Sequence, residues 1–186
     1  MRRIVAGVAG LVATGVLLAG PGPGKDTARA ETSGQAAPAF EIVTLSGEVF
    51  TNASLKGQPT LLIFWAPWCR VCQRELPLLG QFHQEKKPPR LRMISIGFAD
   101  NRTNVEAFVK ARAGLLPFPA AYDEDRWVAQ AFKITATPTS VLMDAHGQVI
   151  LIHRGGGLLQ NERFREFLST LQGGGHGAEG RADSPS

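Results

Sequence analysis

Apolar and polar positions alternate along this chain in two rhythms, and the switches between them predict an α/β domain. A period of two runs from Phe40 to Phe50 and breaks at Ser46-Gly47, which predicts an N-terminal β-hairpin turning on that pair. Ser54 to Pro59 forms a turn. After it, Thr60-Leu61-Leu62-Ile63-Phe64-Trp65 is an apolar, β-branched and aromatic run that reads as a buried strand. The rhythm then becomes helical: Glu75 to Glu85 reads as an amphipathic helix, begun near Cys69. Pro77 has no N–H for the carbonyl of Gln73, so a kink is expected there. Leu91 to Phe98 is a second central strand, and Val105, Phe108 and Val109 keep helical spacing behind a cap at Asn101 or Thr103. Phe118 to Asp123 is a short strand and Asp125 to Phe132 a short helix. Thr139 to Met143, the turn Asp144 to Gly147 and Gln148 to His153 form a second hairpin, ended by Gly155-Gly156-Gly157. A closing helix runs from Leu159 to Leu171, with Phe164, Phe167, Leu168 and Leu171 on one face. Strand, helix, strand, helix at this spacing is the pattern of a parallel sheet with covering helices.

The two ends fall outside that pattern. Arg2 and Arg3 precede an uncharged apolar run from Ile4 to Ala19, then Pro21-Gly22-Pro23-Gly24, then Ala28-Arg29-Ala30. Residues 1–30 therefore read as a targeting segment with an A-x-A cleavage pattern. The apolar run is short against the ~20 residues of a bilayer span, which favours a cleaved signal over a retained membrane anchor. Residues 31–37 read as a polar linker, residues 38–172 as the domain, and residues 173–186 as a Gly-, Ser- and charge-rich tail expected to be disordered. A chain of 186 residues has room for one domain with such appendages. The formal charge is +4, and the first thirty residues carry +3 of it. The basic balance thus belongs to the leader, and no nucleic-acid surface is read from it. Export places the domain where disulfides persist.

Both cysteines lie in Phe64-Trp65-Ala66-Pro67-Trp68-Cys69-Arg70-Val71-Cys72-Gln73-Arg74-Glu75-Leu76-Pro77, where a strand hands over to a helix. A helix begun near Cys69 offers unpaired N–H groups and the positive end of its dipole to the sulfur. A thiolate there is stabilised, and the thiolate is the nucleophile of thiol–disulfide exchange. Cys72, one turn on, can close a disulfide with Cys69 or resolve a mixed disulfide made by it. A purely structural disulfide is the plainer reading, but so small a ring gives only about 2 kcal/mol by loop entropy, in a chain long enough to bury a core. Half of a zinc site is another, but no second Cys-x-x-Cys exists, and His83, His146, His153 and His176 show no ligand spacing. Cys-x-x-Cys beside a βαβ pattern is the redox signature. No cofactor and no metal are expected.

The run W-x-x-W-C-x-x-C-x-x-E-x-P from Trp65 to Pro77 resembles the thioredoxin superfamily and, within it, the exported TlpA/ResA/DsbE-like thiol–disulfide oxidoreductases. The resemblance spans roughly Ala37 to Gln172. It implies a thioredoxin-like α/β fold: a central mixed β-sheet flanked by helices, with an N-terminal β-hairpin and a central βα insert. It also implies a cis peptide at Thr137-Pro138, packed beside the cysteines; an ordinary trans proline at a strand entry is the other reading. A cis bond there would leave the Thr137 backbone free to pair with a substrate chain. Glu75 stands where the exported reductases carry an acid that tunes or relays protons; a solvated surface glutamate is the alternative. The aspartate that thioredoxin buries six residues before its first cysteine is replaced by Ile63. Trp68 is expected to shield the disulfide and meet substrate, and Trp65 to sit in the core.

The implied activity is disulfide exchange with protein substrates by an enzyme of the bacterial periplasm or the outer face of the cytoplasmic membrane. A reductase is favoured, recharged by a membrane thiol donor, with apocytochrome c as a substrate in cytochrome c maturation. A disulfide-introducing oxidase is the alternative, since Arg70 favours the thiolate and hence a more oxidising couple, whereas an ionised Glu75 acts the other way. A copper-binding chaperone of the Sco type would need Cys-x-x-x-Cys. A peroxiredoxin would need a Thr and a Pro where Ala66 and Leu62 stand. Nothing in the sequence points to an oligomer, and a monomer is expected.

Overall fold

A computed structural model describes residues 34–86 and 90–173. Residues 1–30, read above as a targeting segment, and the tail after residue 173 lie outside the described residues. The strands are β1 (Gln35–Ala36), β2 (Glu41–Val43), β3 (Val49–Thr51), β4 (Thr60–Trp65), β5 (Arg92–Gly97), β6 (Ala120–Tyr122), β7 (Thr139–Met143) and β8 (Gln148–Arg154). The helices are α1 (Asn52–Leu55), α2 (Arg70–Lys86), α3 (Arg102–Ala111), α4 (Trp127–Ala131) and α5 (Glu162–Gly173). Among the described residues, no helix is long and apolar enough to cross a membrane.

The main sheet has the order β1-β8-β7-β4-β5-β6. β4, β5 and β6 run parallel, and β7, β8 and β1 are antiparallel to their neighbours. Parallel strands need a crossover, and α2 and α3 supply the two that β4–β5 and β5–β6 require. The β2–β3 hairpin is a separate ribbon that reaches the sheet through a bridge from Thr44 to Ala121. This is the mixed sheet, N-terminal hairpin and thioredoxin-like α/β architecture expected from the motif.

Strand β4 is buried at every residue, and its alternation divides the core. Leu61, Ile63 and Trp65 join Cys69, Cys72, Leu76, Leu79 and Phe164 on one face. Leu62 and Phe64 join Ile42, Phe50, Val128 and Phe132 on the other. Both active-site sulfurs therefore rest in the same apolar layer as the inner face of α2. Gly80 lets that helix lie against the Leu115 carbonyl, where a Cβ would collide with backbone.

Three expectations need correction. Gln35 and Ala36, read as linker, pair with Val149 and Gln148 and extend the sheet by a strand. Two exposed residues carry no apolar alternation, so only the waiting edge of β8 makes them a strand. The helix expected from Asp125 is broken. A 3₁₀ turn at Glu124–Arg126 precedes α4, with Asp125 and Arg126 at φ of 54° and 60°. The buried Asp123 causes this local detour: its carboxylate accepts the N–H groups of Val128 (3.0 Å) and Ala129 (2.7 Å) and so fixes where α4 starts. The closing helix likewise begins later than expected, after a 3₁₀ turn at Leu158–Gln160, with Asn161 Oδ1 accepting the N–H of Phe164. Pro77 lies inside α2, which continues to Lys86.

Candidate active site

The site is built where β4 ends. Cys69 N–H bonds the Ala66 carbonyl at 3.1 Å, and Cys69 then hands its own carbonyl to Gln73 at 3.0 Å, the first turn of α2. The Gln73 side chain ties back to the Pro67 carbonyl at 2.7 Å, which closes the turn ahead of the cysteines. Cys69 and Cys72 form a disulfide with their Cα atoms 5.2 Å apart. The N–H of Cys72 points at Cys69 Sγ from 3.1 Å. An N–H of the first helical turn thus faces the sulfur that leads the helix, as thiolate stabilisation requires. Cys69 is 6% exposed and Cys72 is fully buried, so the first sulfur is the one a partner can reach.

Trp68 stands beside this turn with 61% of its surface exposed. It is nevertheless held, since its indole N–H donates to the Ala99 carbonyl at 3.1 Å. Ala99 takes a φ of 59°, the left-handed region that a non-glycine residue seldom enters, and so aims that carbonyl out of the β5–α3 loop. Trp65 is fully buried, with its ring 4.6 Å from that of Phe108. The two tryptophans therefore divide as core and rim.

Thr137-Pro138 is cis. Pro138 is buried, and its carbonyl accepts the N–H of Gly155 at 2.8 Å. Thr137 is half-buried, and its backbone N–H and C=O make no hydrogen bond among the described residues.

Glu75 is only 7% exposed. Its Oε2 accepts the N–H of Gly157 and its Oε1 the N–H of Leu158, both at 2.9 Å. The sequence places this acid one turn beyond Cys72, and the fold brings it to a loop more than eighty residues away. A buried carboxylate is costly without donors, and this loop provides two of them. Gly157, at a φ of 84°, turns the chain so that both N–H groups face the same carboxylate. These two donors, and the carbonyl of Ala99 that holds Trp68, are backbone atoms. Side-chain motifs do not reveal them; the glycine run at 155–157 is the only sequence signal of the first pair.

The sequence profile of the AhpC/TSA family matches residues 33–152. The chain is 29% identical over 140 residues to the thiol–disulfide oxidoreductase ResA of Halalkalibacterium halodurans, covering 75% of this chain and 77% of that protein. It is 30% identical over 139 residues to ResA of Geobacillus kaustophilus, covering 75% and 78%. Among solved structures, StoA from Bacillus subtilis superposes with a TM-score of 0.60 at 27% identity, over 70% of this chain and 98% of that one. A putative thiol:disulfide interchange protein DsbE from Chlorobium tepidum gives a TM-score of 0.66 over 76% and 98%, and at 24% identity it speaks for the fold.

Proposed function

We propose that this chain, which belongs to the AhpC/TSA family and is a thiol–disulfide oxidoreductase similar to ResA, works as an exported reductase of protein disulfides. The observation that carries this reading is the placement of a reachable Cys69 at the head of α2 with a buried Cys72 behind it. In the reduced protein the Cys69 thiolate attacks one sulfur of a substrate disulfide, and the other sulfur leaves as a thiolate. Cys72 then attacks Cys69 within the mixed disulfide. The substrate departs with both sulfurs reduced; its two electrons have come from the thiols of Cys69 and Cys72, which are left oxidised as the Cys69–Cys72 disulfide.

Thr137, whose backbone makes no hydrogen bond among the described residues, is read with the cis Pro138 as the place beside the cysteines where a substrate chain pairs as an added strand. Trp68 gives the same chain an apolar rim. Glu75 is the acid of the site. Family membership does not bring peroxidase chemistry with it, because Ala66 and Leu62 stand where that pattern needs Thr and Pro.

The leader supports location in the bacterial periplasm, or on the outer face of the cytoplasmic membrane if it is kept. An oxidising compartment would draw the pair into the disulfide, so a membrane thiol donor must recharge it. Apocytochrome c, with a thiol pair to be kept reduced for haem attachment, fits as the substrate. A monomer suffices for this chemistry.

The test is the reduction potential of the Cys69–Cys72 couple, measured with reduction of an insulin-type disulfide by wild type and by Cys69→Ser. A potential near about −270 mV, with activity lost in Cys69→Ser, supports a donor-fed reductase. A potential near about −120 mV makes the protein an oxidase of exported chains instead. Tight copper binding by the reduced form, without exchange activity, would give the chaperone reading.

A further inference from the structure

The loop Gly155–Leu158 meets both Pro138 and Glu75. Gly155 N–H holds the Pro138 carbonyl at 2.8 Å. Gly157 and Leu158 hold Glu75 at 2.9 Å each. Between them, Gly156 lies flat on the face of α2 that carries Val71 and Glu75, one turn apart. A Cβ built on Gly156 would stand 2.9 Å from Val71 Cγ1 and 3.2 Å from Glu75 Oε2, so no side chain fits there without moving one of them. The far side of the loop is pinned as well. His153 Nε2 lies 3.1 Å from the Gly156 carbonyl, which can only accept, so Nε2 carries the ring proton. Leu158 is fully buried in the core that holds both cysteines.

We infer, on the reading that this is a disulfide exchanger, that Glu75 is a positioning residue: it clamps the Gly155–Leu158 loop, and through that loop Thr137-Pro138, against the Cys69–Cys72 turn. Gly156 is the residue whose lack of a side chain lets the clamp close. The chain of contacts runs from the carboxylate to Gly157 and Leu158, along the loop to Gly155, and from Gly155 to Pro138. The first links are backbone N–H groups donating to the Glu75 carboxylate, and the last is the backbone hydrogen bond from Gly155 to Pro138. The clamp therefore fixes the distance between the attacking sulfur at the head of α2 and the backbone edge that would hold a substrate chain. The chemistry selected by this arrangement is a disulfide within an extended peptide, which needs both parts at once. A small disulfide needs only the sulfur. Glu75 acts here with both oxygens accepting, which is a different task from passing a proton.

The full chain is assayed in reduced form on two substrates, a disulfide within an extended peptide and a small aromatic disulfide with no chain to pair. Wild type, Glu75→Gln, Gly156→Ala, Val71→Ala and the double variant Gly156→Ala/Val71→Ala are compared, with Cys69→Ser as the inactive control. Gln keeps one acceptor but sets an NH₂ donor against the second loop N–H. The loss of one charge-assisted bond predicts that Glu75→Gln lowers the peptide-to-small-disulfide ratio of kcat/KM about tenfold, mainly through KM. Gly156→Ala is expected to do the same, and trimming Val71 in the double variant is expected to restore most of the ratio.

Equal losses on both substrates, or no recovery in the double variant, would overturn the clamp. So would a fall in kcat alone in Glu75→Gln together with the disappearance of one limb of the pH profile, which is the signature of a proton relay. If Gly156→Ala does not fold, the double variant against Val71→Ala carries the same comparison, with the ratio near its Val71→Ala value as the supporting result and a tenfold lower ratio as the contrary one. Wild type inactive on both substrates would instead overturn the exchange reading, which the clamp presupposes.

Discussion

The indole N–H of Trp68 donates to the carbonyl of Ala99 at 3.1 Å, so the most exposed aromatic beside the disulfide is also an anchored one. A free tryptophan at that place would lose rotamer freedom on meeting a substrate, whereas this one is already ordered. Trp68→Phe keeps the apolar face and removes the donor. The freed Ala99 carbonyl can take water, so stability should fall by less than about 1 kcal/mol, while KM for a protein disulfide rises severalfold. Denaturant unfolding and steady-state kinetics on the same samples check both halves.

The unequal exposure of the two sulfurs predicts which variant traps a substrate. Cys72→Ser leaves the reachable Cys69 without its resolving partner, so mixed disulfides should accumulate as bands sensitive to reductant on a gel. Cys69→Ser should give none, because Cys72 is fully buried. Equal trapping by both variants would mean that the turn opens far more than this geometry allows.

Leu158 joins the glycine loop to the core, and it is fully buried. Leu158→Ala should cost about 2–5 kcal/mol in denaturant unfolding, as for other large-to-small changes in a packed core. The backbone N–H that serves Glu75 is kept in this variant. Its loss of activity should therefore be smaller than that of Glu75→Gln under conditions where both proteins are folded.

The burial of Asp123 and His83 gives the stability a pH dependence whose sign follows from the direction in which each pKa is pushed. Burial pushes the Asp123 carboxyl above its ordinary value of 3.8, against the N–H groups of Ala129 and Val128 and the charge of Arg126. The folded state then holds that proton more tightly than the unfolded chain does. Its contribution is greatest below 3.8 and declines as pH rises through the raised pKa. The stability difference between wild type and Asp123→Asn should narrow or reverse in wild type's disfavour across that window, as read from denaturation midpoints.

Burial lowers the pKa of His83 from 6.5. Its ring meets Phe118 edge-on at 5.9 Å, and its Nδ1 has no partner among the described residues. The unfolded chain takes up this proton first, so the stability is fully present above 6.5 and is lost as pH falls through the lowered value. His83→Phe should flatten the midpoint between pH 5 and 7 (about the window set by an ordinary histidine) and leave the neutral-pH stability equal or higher.

The sequence by itself determined the elements and the reacting pair. Apolar alternation is a local property, and β4, α2, β5, β7 and β8 appear where Leu61–Trp65, Glu75–Glu85, Leu91–Phe98, Thr139–Met143 and Gln148–His153 announced them. Cys69 and Cys72 are close because three residues of helix make them so. The cis bond at Thr137-Pro138 was legible only through resemblance, since local preference favours trans. What depends on long-range contact was not legible. Gln35–Ala36 is a strand because β8 has an open edge, α4 starts at Trp127 because Asp123 reaches its first N–H groups, and Glu75 is buried because Gly157 and Leu158 meet it from across the chain. In each case the deciding partner is a backbone group, which every residue but proline carries and no side-chain pattern marks. Only the tertiary fold selects which of those groups face a strand edge, a helix end or a carboxylate.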